Sequence, residues 1–130
     1  MFTIQQIQAA HSKVKSGADF PAYISDIKTL GVLSYETFVT DGHSDYRGAN
    51  GYTTSSPVKY APVPIAGVAN TEQFIHDLKE HQQGRTSYLE FIAACARFGI
   101  EKWIVLLDQM TCTYYDKLGN EVLVEAIPQL

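Results

Sequence analysis

The closing stretch Met110-Thr111-Cys112-Thr113-Tyr114-Tyr115-Asp116-Lys117-Leu118-Gly119-Asn120-Glu121-Val122-Leu123-Val124-Glu125-Ala126-Ile127 decides the fold. Two runs rich in β-branched and aromatic residues flank a turn, which reads as a β-hairpin. Asp116 opens a type I turn, and Gly119 takes the left-handed position of an adjoining bulge. With Gly119 and Asn120 opposing one residue, the spacing predicts one apolar face. On it Tyr114 meets Val122, Cys112 meets Val124 and Met110 meets Ala126. A one-residue slip would put these sets on opposite faces. Just upstream, Lys102 to Leu107 is apolar on both faces after its first residue. It reads as an interior strand covered by helices on at least one side.

The rest of the chain supplies those helices. Thr3 with Gln6 forms a capping-box pattern ahead of Ile4, Ile7, His11 and Val14, and Gly17 closes that helix. A second helix starts near Asp19 with Pro21 in its first turn and stops at Gly31. Asn70 caps a third, with Phe74, Ile75 and Leu78 inward and Gly84 at its end. Ser87 and Glu90 form a full capping box for a fourth, whose face is Tyr88, Phe91, Ile92, Cys95 and Phe98. Between the second and third helices, Val32 to Thr40 and His43 to Arg47 read as strands joined by the turn Asp41-Gly42. Residues 48–68 are rich in Gly, Ser, Thr, Pro and Tyr. Such a long structureless loop is rare, so short edge strands are expected around Tyr52-Thr53-Thr54 and from Val63 to Ala66. The expectation is a single α+β domain over residues 1–130, with four short helices on a mainly antiparallel sheet.

Composition narrows the function classes. A formal net charge of -4, with scattered basic residues, argues against a nucleic-acid surface. The longest strongly apolar run, Trp103 to Leu107, is too short to span a bilayer. Cys95 and Cys112 form no Cys-x-x-Cys pair; as two lone thiols in core-forming segments they fit a reducing, cytoplasmic setting. No signal peptide pattern precedes the first helix. Gly48-Ala49-Asn50-Gly51 has the wrong spacing for a nucleotide fingerprint, so no cofactor is expected.

Candidate sites are few, and nothing names a reaction. The segment Asp41-Gly42-His43-Ser44-Asp45-Tyr46-Arg47 concentrates reactive groups, and a histidine near a carboxylate can act as acid or base. Along a strand, however, His43 and Asp45 point to one face while Ser44 and Tyr46 point to the other. On the third helix His76 and His81 are five apart, about 140° around at 100° per residue, so they do not chelate one metal together. No metal site is expected. His11 reads as a core or interface histidine, and both cysteines as buried structural thiols. Tyr46, Tyr52 and Tyr60 cluster in the middle region, where tyrosines serve either contact surfaces or strands.

Several stretches also resemble a known family. His81-Gln82-Gln83-Gly84-x-Thr86, Gly99-Ile100-Glu101-Lys102-Trp103, Met110 to Asp116, the glycine turn and Glu125-Ala126-Ile127-Pro128 are similar to the YbcV-like domain family. Its members occur in bacteria and prophages, and some carry the label phage envelope protein. The resemblance implies a compact α+β domain and, having no established activity, transfers no catalytic residue.

Two readings follow. One is a cytoplasmic binding or interaction module, a homodimer or a partner for another protein, using an exposed β-edge with Tyr46, Arg47, Tyr52 and Tyr60. A phage-derived modulator of a host protein shares the same features. The other is a small cofactor-independent enzyme in which His43 is the acid/base, Asp45 orients it, and Arg47 or Tyr46 holds substrate. That reading needs a concave pocket where His43 meets a second polar group, such as His11 or His81.

Overall fold

A computed structural model of the chain describes residues 1–15 and 17–128. The first helix, α1 (Ile4–His11), starts where expected. Thr3 Oγ1 accepts the Gln6 N–H (3.2 Å), and Gln6 Oε1 accepts the Thr3 N–H in return (2.9 Å). It stops short of Gly17 because Ser12 Oγ donates to the Ala9 carbonyl at 2.6 Å, a local bond that competes with helix continuation. Helix α2 (Phe20–Leu30) carries Pro21 in its first turn and ends on Gly31 in the left-handed conformation. Strands β1 (Ser34–Phe38), β2 (Ser44–Arg47) and β3 (Thr53–Ser55) follow. Then come α3 (Thr71–Gln82) and α4 (Tyr88–Arg97), the latter with its full capping box. Strands β4 (Lys102–Leu106), β5 (Thr111–Tyr115) and β6 (Glu121–Ala126) complete the sheet.

The six strands are antiparallel in the order β3-β2-β1-β4-β5-β6, which gives an α+β fold with β4 in the interior. The register sorts side chains into two faces. Tyr35 opposes Tyr46 and Val105, Thr37 opposes Ser44 and Trp103, and Cys112 opposes Val105. These residues share one face. Helical side chains meet that same face: Phe74 lies 5.0 Å from Tyr114 between ring centres, and Phe91 lies 6.0 Å from Trp103. The other face carries Glu36, Phe38, Asp45, Arg47, Lys102 and Tyr115.

Two local expectations are corrected. The closing turn forms as read: Asp116 Oδ1 accepts from the Leu118 and Asn120 N–H groups, and Gly119 has φ +85°. Asp116 and Asn120 then pair, and Tyr115 opposes Glu121. A further irregularity between Tyr114 and Tyr115 skips Val122, so Tyr114 opposes Leu123 and Cys112 opposes Glu125. Leu123 and Glu125 therefore take the places across from Tyr114 and Cys112 expected for Val122 and Val124, although Val122 also packs against the core. Val124 is 52% exposed, while Leu123 packs against the core. The slip is tolerated because Glu125 finds partners on the inner face, Tyr114 Oη at 3.4 Å and Gln82 Nε2 at 3.1 Å.

The second correction concerns Val63 to Ala66, which forms no strand. Pro62 and Pro64 lack N–H donors, so only Val63 bonds β-like: its N–H reaches the Thr40 carbonyl (2.8 Å) and its carbonyl accepts Thr40 Oγ1 (3.0 Å). The segment instead crosses the C-terminal end of α4. Gly99, at φ +82°, lies so close below it that a Cβ would sit 2.6 Å from the Val68 carbonyl oxygen. Only glycine permits both that backbone and that approach.

Candidate functional site

The two helical pairs straddle the inner face of the sheet and leave a cavity of about 1020 Å³ between them. Its floor is the sheet itself, including Tyr35, Thr37, Ser44, Tyr46, Trp103 and Cys112. One wall comes from the first pair, through Ile7, His11, Phe20 and Tyr23; the other comes from α3 and α4, through His81, Tyr88 and Phe91. Lys59 and Glu125 lie at its sides. On the floor the Thr37 and Ser44 hydroxyls bond each other at 2.7 Å.

Four phenols, Tyr23, Tyr35, Tyr46 and Tyr88, line the cavity. Burial pushes the Tyr23 and Tyr35 hydroxyls well above their ordinary pKa, and neighbouring phenols add to the effect. Burial likewise pushes Tyr88 up to about 12. All therefore stay protonated and can donate. Tyr35 is only 5% exposed, and its hydroxyl has no hydrogen-bond partner among the described residues. Fully buried side-chain oxygens there all have partners, so the Tyr35 hydroxyl must open onto the cavity. Cys112, on the floor, is pushed up to about 12 by burial, which holds it as a thiol and leaves it a poor nucleophile. Both cysteines are free and buried.

The histidines of the walls are held neutral. Burial lowers the pKa of His11, assisted by the charge of Lys59; burial also lowers His81, against a raising hydrogen bond from Thr86. His11 sits edge-on to the Tyr23 ring at 5.2 Å. His81 stacks on Phe91 at 4.4 Å, and its Nδ1 lies 3.3 Å from the Thr86 carbonyl. The Thr86 hydroxyl lies nearer still to Nδ1, at 3.1 Å, so Thr86 anchors this side of the ring. His11 and Lys59 keep accessible surface, yet burial lowers both pKa values. That combination belongs to groups in a concave wall, open to a cavity while surrounded by protein.

Of the residues singled out in the sequence, the structure brings Tyr46, Ser44, His11, His81 and Cys112 to this cavity and leaves His43, Asp45, Arg47, Tyr52 and Tyr60 outside its lining. His43, Asp45 and Arg47 project from the outer face, as the strand alternation predicts. His43 stacks on Phe38 at 4.6 Å; its Nδ1 is 2.6 Å from Asp41 and its Nε2 3.6 Å from Asp45. The sheet thus divides His43 from His11 and His81, and the combined pocket does not form. Tyr52 and Tyr60 are anchors, since each hydroxyl donates at 2.6 Å to a main-chain carbonyl, Phe2 and Val39 respectively. Sequence reasoning passed over Tyr23, Tyr35 and Lys59. The usable signal was that Tyr23, Tyr35, Tyr46 and Tyr88 all fall on core-facing positions, where a phenol needs a partner.

Among the described residues no group of three or more His, Cys, Asp or Glu is placed to hold a metal ion, and no helix is long and apolar enough to cross a membrane.

Comparison with known proteins places the chain without assigning an activity. Uncharacterised proteins of Mycobacterium bovis and Mycobacterium tuberculosis are each 32% identical to it over 102 residues. That match covers 74% of this chain and 59% of each relative, so the chain spans about three fifths of the curated relatives it matches. The family model described as "Protein of unknown function (DUF1398)" matches residues 8–126, and the chain belongs to that family.

Proposed function

We propose that this chain is a binding module that holds one small organic molecule between its sheet and its two helical pairs. The observation that carries this reading is the cavity, whose volume of about 1020 Å³ suits a ligand and whose floor presents the unpartnered Tyr35 hydroxyl. A hydroxyl that opens onto the cavity with no protein partner is free to bond a ligand oxygen. Apolar walls around a few polar groups are the usual make-up of such sites. Of the sequence candidates, Tyr46 then contacts ligand. Tyr52 and Tyr60 hold the middle segment in place, and His43, Asp45 and Arg47 work as an ion network on the outer face. We place the protein in a bacterial cytoplasm, a setting supported by two buried free thiols and by mycobacterial relatives. A prophage origin rests on the YbcV-like resemblance.

Trp103 is the only tryptophan and lines the cavity, so its emission reports the site. In a thermal-shift screen of metabolites, a true ligand should raise Tm and shift Trp103 emission together. A screen in which stabilising compounds leave Trp103 unchanged would refute the reading.

Self-association is a second reading, supported by the outermost strands β3 and β6, whose free backbone groups can pair with another copy. Val124, exposed on β6, is the place to test it: Val124→Lys should convert a dimer to a monomer in light scattering. A wild-type chain that is monomeric at high concentration removes this reading.

A further inference from the structure

We propose that the cavity takes a small organic acid, with its carboxylate beside Lys59 and Tyr88 and its apolar body against Phe91 and Trp103. The inference rests on the binding-module reading and names the chemistry of the occupant. The wall carries two lysines, Lys15 and Lys59, against a single carboxylate among the described residues, Glu125, in a chain of formal net charge -4. Glu125 is engaged with Gln82 and Tyr114. No carboxylate of the described residues comes within ion-pair distance of Lys59. Its ammonium instead lies 5.4 Å from the centre of the Tyr88 ring. Lys102, on the opposite side of the sheet, has Glu36 as a partner.

The segment bearing Lys59 is fixed. The Lys59 N–H donates to the Asp41 carbonyl (2.8 Å), and the Ser56 N–H donates to the Ser44 carbonyl (2.9 Å). The lysine is therefore held at the cavity by its main chain and left without a counter-charge by its side chain. Lys59 keeps contact with water, and partial burial among cavity residues lowers its pKa, a shift that an anion at the ammonium opposes. Tyr35 and Tyr88, both protonated, add hydrogen-bond donors on the same side. Among the described residues no arginine lines the cavity, so the two-pronged fork that favours phosphate is missing there. Lysine point charges with phenol donors, and no guanidinium fork, fit a carboxylate.

The test compares phenylacetate and octanoate with phenylacetamide and octanamide, titrated against Trp103 emission in the wild type and in Lys59→Met, which keeps the aliphatic stem. Each acid should bind about tenfold tighter than its amide to the wild type, and Lys59→Met should erase that preference. The ligand-free Tm of Lys59→Met should match or exceed that of the wild type, showing that the fold is intact. If amides bind as tightly as acids, or if the acid preference survives Lys59→Met, the organic-acid assignment is overturned while the cavity remains a binding site. Binding of neither class would overturn the cavity reading and this assignment together. Inorganic phosphate serves as the control: displacement of phenylacetate by millimolar phosphate would reassign the site to phosphate.

Discussion

On the outer face of the sheet, Glu36 takes both Lys102 and Arg47, His43 sits between Asp41 and Asp45, and Asp45 also accepts a hydrogen bond from Ser55 at 2.7 Å. On the inner face Tyr35 has a hydroxyl without a partner among the described residues, and Lys59 lines the cavity without an acid at ion-pair distance among them. The first set closes on itself and ties β1, β2, β3 and β4 together. The second set is incomplete. Polar groups that a protein satisfies internally serve its architecture, whereas those it leaves open beside a cavity are where another molecule supplies the missing partner. The reactive-looking residues of the sequence, His43 and Asp45, belong to the closed set.

The largest effect should come from breaking the closed set. Glu36 is 8% exposed, and Glu36→Ala would strip Lys102 of its acid. We expect a loss of about 2–3 kcal/mol in denaturant unfolding, below the cost for a fully buried pair because Lys102 and Arg47 keep contact with water. A loss under about 0.5 kcal/mol would reduce the network to ordinary surface charge.

Tyr60→Phe comes next. It removes a 2.6 Å bond to the Val39 carbonyl and should cost about 1 kcal/mol, measured the same way. Tyr52→Phe should behave alike, since it loses the bond to Phe2.

The two faces should also separate by pH. Burial lowers the pKa of His11 and His81 from 6.5, so the unfolded chain takes up protons before the native protein does. Stability should therefore fall as pH drops below 6.5 and level off once pH passes the lowered native values. His81→Gln should flatten that slope in thermal melts across the range. Asp41 adds a loss in the same direction but in a lower pH window. Burial favours its protonated form, but the hydrogen bonds and charge of His43 outweigh this and hold it below 3.8. Its contribution is present above 3.8 and is lost only as pH falls through the depressed native value.

The smallest effect is the sharpest. Tyr35→Phe removes a hydroxyl that bonds nothing in the protein, so it should change stability by less than about 0.5 kcal/mol. A loss as large as that of Tyr60→Phe would erase the contrast between the faces.

Much of the fold was legible because its signals are local. The capping boxes at Thr3 with Gln6 and Ser87 with Glu90, the stop at Gly31 and the turn at Gly119 each depend on a few neighbouring residues. Strand alternation also placed Ser44 and Tyr46 on one face and His43 and Asp45 on the other. Beyond that range the reading weakened. Val122, Leu123 and Val124 are all apolar, so their pattern cannot say which one the ladder skips. That choice was settled by Glu125 finding Tyr114 and Gln82, the latter 43 positions away in the chain. The run around Val63, marginal already because of Pro62 and Pro64, forms no strand because its donors go apart, Val63 to Thr40 and Ala66 to Ala96.

The amino-acid sequence by itself determined the kinds of elements, their ends, and an α+β sheet with β4 inside, because caps, turns and alternation act over a few residues. The tertiary structure alone decided that four phenols and Lys59 would meet around a cavity. That meeting depends on how far apart two helical pairs sit on one face, a distance set by the bulk of side chains from many separate segments. No window of sequence contains that distance, and so none revealed the site.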